Sequence, residues 1–269
     1  MAIVSLQSAA SALTALNTSM DVIANNLANV NTPGFKASRA NFEDLLYQEK
    51  SQPGVENASG DQRPLGLYVG LGTRVSGTQL DFQVGSPIPT GRPLDMYING
   101  MGFFRVRVQD ELGTGGLAYT RAGQFTKNAE GEIVMANDQG RRLDVGFTIP
   151  EDATEVSVDS NGRVFALVPG EAEPQELGQI ELALFVNPAG LKQVGENMYV
   201  ETAASGPPIS GVPGTENFGE VQSKQYEGSN VDPTRELIEL IRTQRAFEMN
   251  SNTIRAADES LRTIAQLRR

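Results

Sequence analysis

The sequence predicts an α+β fold in which two long terminal helices, paired in coiled-coil fashion, bracket an antiparallel all-β middle domain. Three observations predict it. Leu6, Ala9, Leu13, Leu16, Met20, Ile23, Leu27 and Val30 recur in alternating steps of three and four, which is a heptad seam. Leu240, Phe247, Ile254 and Leu261 repeat at heptad spacing near the other end. Between the two, the apolar period falls to two and turn-forming clusters interrupt it about every ten residues. The expected division is 1–35 for the first helix, 36–91 for an extended connecting region with an exposed polar loop at 49–63, 92–201 for the β domain, 202–232 for the return connection and 233–269 for the last helix.

The first helix, expected over residues 4 to 30, would run about 40 Å at 1.5 Å per residue. Asn31, Pro33 and Gly34 stop it. Small Ala9 and the poor helix formers Asn17, Asn25, Asn26 and Asn29 dilute its seam, so alone in water it is marginal and orders on meeting partners. Ser38 to Gln48 reads as a short helix or an extended segment with Phe42, Leu45 and Leu46 buried. Glu49 to Arg63, with Pro53, Gly54, Ser59 and Gly60, reads as an exposed loop or long hairpin. Gly66 to Val75 is a glycine-punctuated strand; its Gly70-Leu71-Gly72 lacks the third glycine and the following helix of a nucleotide loop.

The β domain shows itself by alternation. Phe104, Val106 and Val108 alternate with Arg105 and Arg107, Val156 and Val158 flank Ser157, and Ile180, Leu182 and Leu184 alternate with Glu181 and Ala183. Turns are expected at Asn128 to Gly131, Asn137 to Gly140, Asp159 to Gly162 and Asn187 to Gly190. Short strands so spaced predict a sandwich or a partly open barrel. A Gly- and Pro-rich return follows, then a strand-like segment from Phe218 to Tyr226. The last helix is expected from Pro233 to Leu267, with Asp232 as its cap and Pro233 in its first turn. Leu237, Ile241, Ala257 and Ile264 join its apolar positions, while Gln244, Ser251 and Asp258 are polar companions that trade stability for register.

Composition narrows the chemistry. There is no Cys, hence no disulfide or thiol chemistry, and no His, which removes the commonest general base and metal ligand. The formal charge of −11 repels nucleic acid. No apolar run reaches the ~20 residues of a membrane span. The first basic residue is Lys36, so a cleaved secretory signal is not expected. Asp159 to Gly162 opens like a calcium loop but lacks the later acidic ligand and reads as a hairpin turn. Glu43-Asp44 and Glu151-Asp152 lack the aromatic setting of a glycosidase and read as solvated surface. The serines have no activating partner. Neither catalytic residues nor a metal nor a cofactor is expected. Arg235, Arg242, Arg245, Arg255 and Arg262, interspersed with acidic residues, read as ion pairing along the helix surface.

Five stretches carry a resemblance. Met20 to Lys36 (MDVIANNLANVNTPGFK) resembles the N-terminal signature of the bacterial flagellar axial proteins of rod and hook, with Asn25, Asn26, Leu27, Ala28, Asn29, Asn31, Thr32, Gly34 and Phe35 at its matching positions. GMGFFRV (Gly100 to Val106), AYTRAGQF (Ala118 to Phe125) and GENMYVET (Gly195 to Thr202) are similar to the family's middle-domain motifs. ELIELIRTQRAFEMNS (Glu236 to Ser251), with Gln244, Arg245, Ala246 and Phe247, resembles its C-terminal signature. Within the family, Phe42 to Gly54 and the total length resemble a rod subunit, and Tyr47, Gln48, Gln52, Pro53 and Gly54 belong to the segment implied to keep the tube straight and rigid.

The resemblance implies an α+β subunit without enzymatic activity or cofactor. It would pass unfolded through the flagellar type III export apparatus without a cleaved signal and assemble with copies of itself. It would meet other rod proteins and the hook protein at the tube ends and the ring or bushing proteins around the periplasm-spanning rod of the basal body. Helix–helix and subunit contacts are then expected at Leu6, Leu13, Leu16, Met20, Ile23, Leu27, Val30, Leu237, Leu240, Phe247, Ile254, Leu261 and Ile264. A hook or proximal rod subunit is the alternative inside the family; a secreted β-rich binding module or an acid-dependent hydrolase are the alternatives outside it.

Overall fold

The computed structural model describes residues 2–54, 64–109, 112–170 and 173–267. Its first helix, α1, spans Ala2–Ala28 and its last, α2, spans Pro233–Leu267. The α1 ladder gives way to a turn in which the Thr32 N–H donates to the Asn29 carbonyl at 3.1 Å. At the start of α2 the Asp232 carboxylate accepts from the N–H groups of Thr234 (2.9 Å) and Arg235 (3.3 Å), the cap its sequence predicts. The chain forms two compact units.

One unit holds both helices and the Ser38–Leu80 segment. That segment folds as β1 (Ser38–Asp44), β2 (Tyr47–Ser51), β3 (Leu67–Gly70) and β4 (Thr73–Leu80). β1 pairs antiparallel with β4, and β2 pairs antiparallel with β3 inside them, so the whole is one long hairpin. Residues 55–63 of the expected polar loop lie outside the described residues.

Here the structure corrects one expectation. Phe42 and Leu46 are not buried but 47% and 83% exposed, and only Leu45 is half-buried. The reason is a register shift between Asn41 and Phe42, which reverses the in–out alternation partway along β1. Gly70 and Gly72 earn their place by close approach to α1. Ser8 Oγ donates to the Gly70 carbonyl, Ser11 Oγ accepts from the Thr73 N–H, and a Cβ on Gly72, which has φ +117°, would lie 2.1 Å from Ser11 Oγ.

The second unit comprises Asn29–Ala37 and Asp81–Val231. Its strands are β5 (Pro87–Pro89), β6 (Met96–Asn99), β7 (Phe103–Arg107), β8 (Leu117–Thr120), β9 (Phe125–Lys127) and β10 (Ile133–Met135). Then come β11 (Glu155–Val158), β12 (Arg163–Leu167), β13 (Gln175–Gln179), β14 (Leu182–Leu184), β15 (Lys192–Gly195) and β16 (Met198–Val200). The last three are β17 (Ile209–Gly211), β18 (Glu220–Ser223) and β19 (Gln225–Glu227). Six of them form an antiparallel sheet in the order β15-β16-β8-β7-β14-β17, and β11-β12-β13 form a second. The larger sheet has two free edges, so it is not a closed barrel. Both sheets feed one core: Phe104, Val106, Ala118 and Leu182 from the first pack in the same cluster as Val158 and Val164 from the second. Pro207 and Pro208 precede the edge strand β17, where a missing N–H blunts edge-to-edge pairing.

The turns hold through side chains. Asn128 Oδ1 accepts from the N–H groups of Glu130 and Glu132, Asn137 Oδ1 accepts from Gly140, and Asp159 Oδ1 accepts from Ser160. Edge-to-face contacts among Phe82, Phe103, Tyr119, Phe185 and Tyr199 build an aromatic cluster beside the core.

Candidate functional site

The helix pair is the candidate site of the first unit. Val4, Ser5 and Ser8 of α1 line a cleft with Ala257 and Ser260 of α2, while at the other end the Asn26 side chain hydrogen-bonds the Glu236 carboxylate. The helices therefore run antiparallel. At 27 and 35 residues they are about 40 and 53 Å long, so α2 overhangs the start of α1 by about two turns.

On α1, Ile23 is buried, and Leu6, Leu13, Leu16, Met20 and Leu27 are half-buried; Val30 falls in the turn beyond the helix. On α2, Leu240, Phe247, Ile254 and Leu261 are half-buried, and the Ile264 side chain lies outside the described residues. Of the expected polar companions Ser251 is half-buried, whereas Gln244 and Asp258 face solvent; Thr243, Asn250 and the expected apolar Ala257, each one residue earlier, are covered. Thr243 and Asn250 tolerate cover because Thr243 Oγ1 donates to the Glu239 carbonyl (2.8 Å) and Asn250 Nδ2 to the Ala246 carbonyl (2.9 Å). Leu237, Ile238, Ile241 and Met249 are 46, 49, 50 and 65% exposed, an uncovered apolar strip on α2. Arg242 and Arg262 pair with Glu239 and Asp258 within the helix.

Asn26 ties this unit together. Its Nδ2 donates to the Ser38 carbonyl (2.8 Å), its Oδ1 accepts from the Ser38 N–H (2.9 Å), and it reaches Glu236 on α2. Burial raises the Glu236 pKa, with Glu239 and Asp232 adding to the rise and the Asn26 bond opposing it. Asn25, Ala28 and Asn31 are exposed, Asn29, Thr32 and Phe35 half-buried, Gly34 buried; on α2, Arg245 is exposed and Ala246 half-buried. Tyr47, Gln48, Gln52, Pro53 and Gly54 are all exposed on the hairpin.

The second unit carries a buried charged junction that sequence reasoning did not single out. Lys36 Nζ donates to Glu227 Oε1 and to the Gln83 carbonyl, both at 2.6 Å. Arg121 Nη1 lies 3.3 Å from Glu227 Oε2, Nη2 donates to the Gly100 carbonyl at 2.8 Å, and the guanidinium sits 5.3 Å from the Phe103 ring centroid. The Gly85 N–H donates to Glu227 Oε1. All three charged residues are at most 3% exposed. Burial lowers the pKa of both Lys36 and Arg121, against the pull of Glu227.

Around this junction the recognisable motifs converge. The Gly34 N–H donates to the Glu227 carbonyl (2.8 Å), Asn197 Nδ2 to the Pro33 carbonyl (3.0 Å) and Thr120 Oγ1 to the Asn197 carbonyl (2.8 Å). Gly34 has φ +68° and its Cα faces the Arg121–Ala122 backbone, where a Cβ would stand 2.5 Å from the Ala122 nitrogen. The one signal available beforehand was that Lys36 and Arg121 are each the single basic residue of their motif. Among the described residues, no group of three or more acidic side chains is placed to hold a metal ion, and no helix is long and apolar enough to cross a membrane.

Antiparallel terminal helices with an uncovered apolar strip, and a β unit that buries Lys36, Arg121 and Glu227 against one another, have the form of a structural assembly protein. Comparison with known proteins agrees. The family model described as "Flagella basal body rod protein" matches residues 6–36, "Flagellar hook protein FlgE/F/G D1 domain" matches 97–166 and "Flagellar basal body rod FlgEFG protein C-terminal" matches 222–267. The flagellar basal-body rod protein FlgG of Caulobacter vibrioides is 41% identical over 264 residues, covering 98% of both chains. That of Agrobacterium fabrum is 42% identical over 93% of this chain and 94% of the relative. The flagellar hook-basal body complex protein FlhP of Bacillus subtilis is 30% identical over 98% of this chain and 99% of the relative. The chain belongs to the flagellar basal-body rod protein family.

Proposed function

We propose that this protein is a structural subunit of the distal rod of the bacterial flagellum. Copies polymerise through their terminal helices into a straight, rigid helical tube that transmits torque from motor to hook and serves as an export channel. The observation that carries the reading is the helix pair: α2 overhangs α1, and Leu237, Ile238 and Ile241 stand uncovered on its outer side. A head-to-tail contact that does not close a ring would cover them and extend into a tube. The neighbours at the tube ends are other rod proteins and the hook protein, with ring or bushing proteins around the periplasm-spanning part. The subunit arrives unfolded through the type III export apparatus, without a cleaved signal.

Electron microscopy of the concentrated full chain, beside a variant lacking residues 1–30 and 233–269, tests the reading. Straight tubes from the first and none from the second are expected. Curved tubes would point to a hook subunit, and monomers at every concentration would remove the proposal.

A further inference from the structure

The junction of Lys36, Arg121 and Glu227 sets two buried cations against one carboxylate. Arg121 Nε is buried with no hydrogen-bond partner, and among the described residues nothing but Glu227 neutralises either cation within salt-bridge distance. Such a cluster is a poor way to gain stability, because the desolvation of three charged groups offsets their attraction. It is also a highly non-local contact. Lys36 and Glu227 are 191 positions apart and Arg121 and Glu227 are 106 apart, so nearly the whole unit must close before any charge finds its partner.

We propose that this charged junction is a kinetic brake on folding: the β unit closes only when its first and last segments arrive together, and the charges are desolvated in the rate-limiting step. Glu227 sits on β19, the last strand of the unit, so a chain delivered from its N-terminus holds two unpaired cations until residue 227 is present. Until then, shutting the core around Lys36 and Arg121 is opposed. If the subunit is exported as the proposed function holds, the delay keeps the chain threadable and postpones folding to the far end of the channel.

The test is urea-jump refolding of the full-length protein, followed by the near-ultraviolet signal of its tyrosines. Two variants have opposite expected effects. Lys36→Met with Arg121→Met and Glu227→Leu removes all three charges and is expected to refold roughly tenfold faster, with an unchanged or higher urea midpoint. Glu227→Gln leaves both cations to be buried unpaired and is expected to refold roughly tenfold slower. Should the triple variant not fold, Lys36→Met with Glu227→Gln is read the same way against Glu227→Gln alone, and must refold faster than it. A triple variant refolding at the wild-type rate, or changes confined to the unfolding rate, would overturn the proposal. So would failure of both charge-removed variants to fold, because the cluster would then be required for the fold itself. None of these outcomes depends on whether the protein forms tubes.

Discussion

Asn26 and Ser38 exchange two hydrogen bonds, Nδ2 to the Ser38 carbonyl at 2.8 Å and the Ser38 N–H to Oδ1 at 2.9 Å. A side-chain amide thus imitates one rung of a β ladder and fastens a helix to the first strand of the hairpin. Asn26→Asp keeps the acceptor and loses the donor, leaving the Ser38 carbonyl without that partner and placing a carboxylate beside Glu236. We expect a loss of about 1–3 kcal/mol from the helix unit, seen as reduced helical circular dichroism and a higher concentration threshold for tubes.

Gly34 and Gly140 both have positive φ, +68° and +56°, but only Gly34 faces another backbone. Gly140→Ala should cost about 1–2 kcal/mol, the left-handed penalty alone. Gly34→Ala adds a steric overlap with Ala122 and should cost at least about 3 kcal/mol. Urea unfolding of the two variants gives the difference directly; equal losses would mean the close approach to Ala122 relaxes freely.

Burial holds the Tyr119 phenol up at about 12 and raises that of Tyr199 as well. A phenol whose folded pKa lies above its unfolded value of about 10 supports folding fully below pH 10 and loses that support as pH rises through the folded value. Stability of the β unit should therefore fall steeply above pH 10. Absorbance of tyrosinate should show Tyr119 and Tyr199 ionising only as the protein unfolds. Ionisation of this pair near pH 10 in the folded state would contradict this.

Leu237 is 46% exposed whereas Leu240 is half-buried on the same helix. Leu237→Ala should leave the unfolding midpoint of the monomer within about 0.5 kcal/mol of wild type. If neighbouring copies cover the outer strip, it should nonetheless raise the concentration at which tubes appear. An unaffected threshold would place that strip outside the assembly contacts.

How legible this was beforehand differs from element to element. The ends of both helices could be read to within about two residues because they are set by local chemistry: Asp232 and Pro233 at one start, Asn31 to Gly34 at one stop. The phase of the second seam could not. Thr243 and Gln244 are both polar and both fit a heptad around Leu240; only the packed structure shows that Thr243 is 6% exposed. The burial of Phe42 failed because a register shift at Asn41 is set by pairing with β4, which alternation in one strand does not encode. The charged junction was invisible for the same reason on a larger scale: its members are 85 or more positions apart, and each alone reads as surface charge.

Asn230 illustrates what such long-range ties can do mechanically. Its Oδ1 accepts from the Ala37 N–H, its Nδ2 donates to the Asp81 carbonyl, and the Asp81 N–H donates to the Ala37 carbonyl. Ala37, Asp81 and Val231, next to Asn230, are places where the chain passes from one unit to the other. Three backbone passages are thereby strapped side by side at the margin of the β unit, like cords tied at one knot. A pull on any one of these passages is therefore shared with the other two at the margin of the β unit.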